Sequence, residues 1–230
     1  MLLIVLLVLV VALVAADVAA SRAAESRIAQ RLQLSGGFAR PPEVEVRGRP
    51  FLVQVVRGRY RDVVVRARDV PAGELRFASL VTQLHGVQVP LRRVVSGQRE
   101  AVPVERVSAR AVVSYEALSG VVRQRGLRVL PGGDGLVRVT GGVRALGRTL
   151  EATAVSRPVL QGRQIVVTAE RFEVGNAVAD SLLSRALGNR LDFRVALDAL
   201  PYGLRLTSLR AGSDGVVLTA GATDTLLQPR

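Results

Sequence analysis

Few side chains in this sequence are equipped to make or break bonds, and their spacing points away from catalysis. The chain has no Lys and no Cys. That removes P-loop and Schiff-base lysines, thiolate metal sites and cysteine nucleophiles. His85 is the only histidine, too few for an ordinary zinc site. Beside Gly86 at a strand end, it reads as a structural or exposed residue. Glu43 and Glu45 share one face of a strand and so resemble an acid pair. Without a cleft, a solvated strand face accounts for them better than glycosidase chemistry does. No Gly-x-Ser-x-Gly elbow occurs. The cluster Pro131-Gly132-Gly133-Asp134-Gly135 is not followed by a helix, so it reads as a turn rather than a phosphate loop. The sequence implies no catalytic residue, metal or cofactor.

What remains is arginine. It supplies all 32 basic residues of a chain with formal net charge +13. One reading is codon bias in a GC-rich genome, which raises Arg, Val, Ala and Gly together. The other is attraction to anionic surfaces, where the guanidinium is a good bidentate phosphate ligand. The arginines are scattered through nearly every segment, and aromatics are only 3%. Both features argue against nucleic acid, which calls for a basic stripe and stacking platforms.

The compartment is read from the N-terminus. Leu2 to Ala16 is an unbroken apolar run ended by Asp17. It suits a signal-peptide core and is short for a spanning helix, which needs roughly 20 residues. Val14-Ala15-Ala16 offers a cleavage site, but the alanine-rich stretch to Ala24 continues as helix, so an uncleaved anchor fits as well. Arg22, Arg27 and Arg31 lie downstream, the wrong asymmetry for a standard signal. A buried core helix is the weaker alternative, because every face of the run is apolar. The expectation is a leader or anchor over residues 1–16 and a single α+β domain over 17–230, exported and membrane-associated.

The domain's elements follow from periodicity. Ala20, Ala24, Ile28 and Leu32 recur at helical spacing, with Arg22, Glu25, Ser26 and Gln30 on the other face, until Ser35-Gly36-Gly37 stops the helix. Pro50 and Gly58 bracket one or two helical turns, with Pro in the first helical position. Arg59 to Val70 then reads as a strand, and further strands are expected at 74–84, 86–95 and 103–113. Ser114 caps a helix running to Arg125, and Asn176 caps another, with Ala179, Leu182, Leu183 and Ala186 inward. After each helix comes a hairpin, turning at Asp134-Gly135 and at Asp214-Gly215. The matching text admits both an ancestral duplication and chance reuse. Between them, Leu191, Phe193, Val195 and Leu197 alternate with Arg190, Asp192, Arg194 and Asp198, the pattern of a half-buried strand. Valine and leucine must build the core, which can be solid or leave an apolar groove.

One block of text resembles a known family. Pro41-Pro42-x-Val44-x-Val46-x-Gly48-x-Pro50-Phe51-Leu52-x-Gln54-Val55-Val56-x-Gly58-x-Tyr60-x-Asp62-Val63-x-Val65 is similar to the opening of the LmeA-like phospholipid-binding family of bacterial cell envelopes. Ser114-Tyr115-x-x-Leu118, Asp134-Gly135-Leu136 and Leu200-Pro201-Tyr202-Gly203-Leu204-Arg205-Leu206 follow in the same order. Arg49 departs from the small or apolar residue expected before Pro50. The resemblance implies a long, curved, mostly antiparallel sheet wrapped around helices, like the tubular lipid-binding modules that hold acyl chains in an apolar channel. It also implies phospholipid partners, including anionic inositol lipids, a membrane surface, and support of envelope glycolipid or mannan synthesis. It carries over no catalytic residue and names no protein partner.

On that reading the channel lining would come from Phe51, Leu52, Val55, Val63, Val65, Leu182, Leu191, Phe193, Val195 and Leu197. Arg57, Arg59 and Arg61, flanking the short helix, would meet headgroups. The alternative is a non-catalytic basic adaptor of the envelope whose apolar faces form an ordinary filled core.

Overall fold

The computed structural model describes residues 1–36, 38–72, 75–90, 101–123, 126–145, 148–162, 164–174, 177–178, 191–196 and 204–227. A single helix, α1 (Leu2–Gly36), runs without a break through the expected boundary at Asp17. It is followed by β1 (Glu43–Arg47), α2 (Phe51–Arg57), β2 (Arg59–Ala72), β3 (Leu75–Gln88), β4 (Val102–Val113) and α3 (Tyr115–Val122). The described residues of the second half form strands: β5 (Leu127–Gly133), β6 (Leu136–Ala145), β7 (Arg148–Ser156), β8 (Val159–Gln161), β9 (Gln164–Val167), β10 (Arg171–Val174), β11 (Ala177–Val178), β12 (Phe193–Ala196), β13 (Arg205–Ala211) and β14 (Val216–Leu227).

The strands form three antiparallel sheets, none of them closed. The long sheet has the order β1-β2-β3-β4-β14-β13, the second β11-β10-β7-β6-β5, and the small third β12-β9-β8. The α+β class, the long antiparallel sheet and the apolar N-terminal helix are as the sequence implies. One core joins the sheets: Val113, Leu118, Val139, Ile165, Phe193 and Val216 belong to a single buried cluster. Each large aliphatic side chain fully buried there contributes roughly 1.5–3 kcal/mol. Helix α3 lies inside this packing. Ser114 caps it by accepting a hydrogen bond from the Ala117 N–H at 3.1 Å, and it turns Leu118 and Val122 to the core.

Local signals in the sequence account for much of this. Both Asp-Gly pairs turn hairpins, and Asp134 and Gly135 have φ of 47° and 76°, a left-handed pair that suits the strands' twist. The two hairpins join different sheets, β5-β6 the second and β13-β14 the long one.

Several expectations need correction. Residues 75–88 form one strand rather than two split near His85. Gly86 instead holds a kink at φ +66°. Pro50 is the residue before α2, extended at ψ 141°, not its first helical residue. Ala177–Val178 pairs with Glu173 and Val174 as a strand, where the first turn of the Asn176-capped helix was expected. The rest of that helix, including Leu182, and Leu197 lie outside the described residues. On α1, Ile28 is exposed, while Glu25, from the supposed outer side, and Asp17, read only as the end of the apolar run, make the contacts that matter.

Those contacts tie the helix to the sheet. Asp17 is buried and its carboxylate accepts from the N–H groups of Phe51 and Leu52 at 3.0 and 2.8 Å. Two of α2's otherwise unpaired first-turn donors are thereby satisfied from 34 and 35 residues away. Two turns on, Glu25 Oε1 accepts from the Val46 N–H at 2.9 Å. This occupies a donor on the free edge of β1, a position that would otherwise invite pairing with another chain.

Candidate lipid site on the inner face of the long sheet

Cross-strand neighbours in a sheet share a face, so the register defines two surfaces. The outer surface is charged. Glu45 takes hydrogen bonds from Arg47 at 2.9 and 3.1 Å and from Arg66 at 3.1 Å. Glu43 lies 3.5 Å from Arg66. These arginines hold the Glu45 carboxyl below its ordinary pKa, as nearby positive charge and donated hydrogen bonds must. His85 Nδ1 sits 2.7 Å from Asp62 Oδ1 on the same exposed surface. Both glutamates and the histidine are thus absorbed by strand-face pairing. Among the described residues no group of three or more His, Cys, Asp and Glu is placed to hold a metal ion.

The inner surface is apolar. One row across the strands is Val44, Val65, Thr82, Ala109 and Ala220. The next is Val46, Val63, Leu84, Val107 and Ala222. A third, Tyr60, Val87, Val104 and Thr225, reaches the end of the sheet nearest α2. Strict alternation would send this third row outward, because it lies an odd number of residues away. Between the rows one residue of each strand, Arg61, Gly86, Glu105 and Asp224, is left out of the pairing, and Gly86 and Asp224 take left-handed conformations, φ +66° and +48°, so the side-chain parity reverses. Val87 and Val104 therefore join Val107 in a small buried cluster, with Tyr60, Val63 and Leu84 packed half-buried against it. Asp69, at φ 54°, makes a similar reversal farther along β2. Beyond it Val70 pairs with Phe77, and both belong to the main core.

The inner face thus has two ends. Towards Val113 and Val216 it is filled by α3 and the other sheets. Towards α2 the small buried cluster of Val87, Val104 and Val107 is flanked by half-buried Tyr60, Val63 and Leu84, and the row between the ends is built of small side chains, Thr82, Ala109 and Ala220 among them.

The candidate residues are dispersed by the fold. Val63 and Val65 lie in this half-buried stretch. Phe51 is buried at its end, 6.2 Å between ring centroids from Tyr60. Val55 is half-buried, and Leu52 is exposed on the far side of α2. Leu191, Phe193 and Val195 are buried in the main core. Phe193 and Val195 pair there with Val167 and Ile165. The alternation read from residues 191–196 holds, but those side chains form part of the filled interior rather than of the same surface as Val63 and Val65. Arg57 and Arg61 are exposed, and Arg59 pairs with Glu105.

Sequence reasoning missed Leu84, Val87, Val104 and Val107. Their alternation is interrupted at Gly86 on β3 and at Glu105 on β4, both left out of the register, and only the pairing shows which face they share. Elsewhere, an open cleft of about 790 Å³ lies between β13 and β8, lined by Arg157, Val159, Leu160, Leu209 and Arg210 among others. It includes Ala211, at the end of the long sheet away from α2, and lies apart from the inner-face rows.

The family model for LmeA-like phospholipid-binding proteins matches residues 15–221. No curated protein and no solved structure matches the chain.

Proposed function

The chain belongs to the LmeA-like phospholipid-binding family, and from that premise we propose that it holds phospholipid acyl chains along the inner face of the long sheet, from Tyr60 to Val65 and across to Ala222. The observation that carries this reading is the contrast along that face: a large packed core at one end, and at the other a cluster of only three buried valines with Tyr60, Val63 and Leu84 half-buried around it. Each methylene removed from water there gains roughly 0.8 kcal/mol, so acyl contacts dominate affinity.

Arg57 and Arg61, with Arg59 partly engaged by Glu105, would add preference for anionic headgroups such as inositol lipids. The role is non-catalytic, and α1 acts as an export signal or anchor that keeps the domain in the extracytoplasmic envelope, serving glycolipid or mannan synthesis. Residues 17–230 act as one domain.

The burial of Leu191, Phe193 and Val195 favours a second reading, in which the interior is filled throughout and the basic surface merely docks on the envelope. A phospholipid with a photoreactive acyl chain separates the two. Crosslinks at Val63, Leu84 or Val107 that persist at high salt, for zwitterionic and anionic lipid alike, are expected for acyl-chain binding. Crosslinks confined to α1, or binding abolished by salt, would establish the docking reading.

A further inference from the structure

Helix α2 is apolar on both sides. Phe51 and Gln54 are buried, with Val55 half-buried beside them. Leu52, Val53 and Val56 point the other way, exposed by 38%, 41% and 77%. In water such a face loses the benefit of burial that its residue types offer.

What covers it is indicated by α1. From Leu2 to Val14 the large apolar side chains of that helix are exposed on all sides, and the helix is long and apolar enough to cross a membrane. The apolar run ends at Asp17, and Asp17 is the residue whose carboxylate holds the first turn of α2. Helix α2 is therefore fixed at the depth where the apolar run stops. That run rises about 22 Å at about 1.5 Å per residue, less than the roughly 30 Å of a bilayer core. A short span thins the bilayer or draws its flanking structure inward. The flanking structure here is α2, with exposed Arg49 just before it and exposed Arg57 in its last turn, suited to the phosphate level of an anionic leaflet.

We propose that the outer face of α2, Leu52, Val53 and Val56, is a membrane-contact surface that sits among the headgroups and upper acyl chains beside the exit of α1. It would bring the half-buried residues of the inner face, at Tyr60 and Val63, to the bilayer surface, so that an acyl chain has only a short path to them. The proposal rests on α1 being membrane-inserted.

The absence of cysteine makes the test direct. Full-length chains carrying Val56→Cys, Val8→Cys or Asp214→Cys are labelled with nitrobenzoxadiazole and reconstituted in phosphatidylcholine vesicles containing phosphatidylglycerol. Asp214 serves as the distant control, because its turn lies at the opposite end of β14 from Thr225. The expected result is strong quenching of the Val8 label by lipids with a deep spin label. The Val56 label should show blue-shifted emission quenched by shallow spin labels, and the Asp214 label should show neither. In a Leu52→Ser, Val53→Ser background the Val56 label should lose its blue shift. A Val56 label that behaves like the Asp214 label while Val8 is quenched overturns the proposal and leaves the anchor intact. So does a blue shift unchanged by the serines, since tethering alone then explains it. A Val8 label that is not quenched overturns the anchor itself, and the proposal with it.

Discussion

The two ends of the long sheet's inner face are made of the same residue types and differ in what lies over them. Around Val113, Val216 and Phe77 the sheet shares one buried cluster with residues of α3, β5, β6 and β12, and side chains such as Val113 and Val139 are wholly buried. At the other end only Val87, Val104 and Val107 are buried, and Tyr60, Val63 and Leu84 around them stay half-buried. Apolar composition therefore distinguishes neither end. Whether valine on a strand is core or binding surface depends on whether another element reaches it, since its burial energy is realised only when water is removed.

The sharpest way to break that comparison is a charge at the filled end. Phe193→Asp places an unpaired carboxylate in the main core, at a cost of several kcal/mol by the scale for isolated buried charges. Loss of the folded circular dichroism signal in mild detergent is the expected outcome. A stable, lipid-competent variant would mean that the filled end is not filled.

The kink that creates the half-filled end comes next. At Gly86, φ is +66° and an added Cβ would lie 2.4 Å from the Glu105 side chain. Gly86→Ala should cost about 1–2 kcal/mol for the left-handed backbone alone. It should also weaken photocrosslinking at Val107, because the third row would be turned away. Unaltered urea-unfolding midpoint and crosslinking would show that the parity reversal is dispensable.

At the half-filled end, Val63→Ser with Leu84→Ser should separate function from stability. The residues are already partly in contact with solvent, so the urea midpoint should fall less than for Phe193→Asp, while acyl-chain crosslinking should drop strongly. Equal losses in both would make this end ordinary core.

The smallest effect belongs to the outer face. Glu45 titrates below its ordinary value near 4.5 because Arg47 and Arg66 bond its ionised form. A depressed folded-state pKa adds stability that is present above the unfolded value and is lost as pH falls through the folded one. The carboxylate is well exposed, so the gain is slight. Glu45→Gln should lower the urea midpoint a little at neutral pH and not at all once acid has protonated Glu45 in the folded chain. A difference that persists in acid would assign the effect to something other than the ion pairs.

The sequence by itself determined the elements whose signals are local. Asp134-Gly135 and Asp214-Gly215 fixed hairpins through the φ their turns demand, Ser114 fixed a helix start, and Leu2 to Ala16 fixed an apolar helix. The alternation of Leu191, Phe193 and Val195 fixed a buried strand face. Tertiary structure decided the rest. Two left-handed residues, Gly86 and Asp224, sit far apart in the chain and on either side of β4 in the sheet. Together they reverse the period-two pattern, so no count along one strand reveals that Val87 and Val104 share a face with Val107. The hold of Asp17 on α2 likewise spans more than thirty residues, and nothing in the residues between announces it. Local rules choose conformations one turn or strand at a time. Which faces meet, and which remain open to a lipid, is chosen by contacts that form only once the chain has folded back on itself.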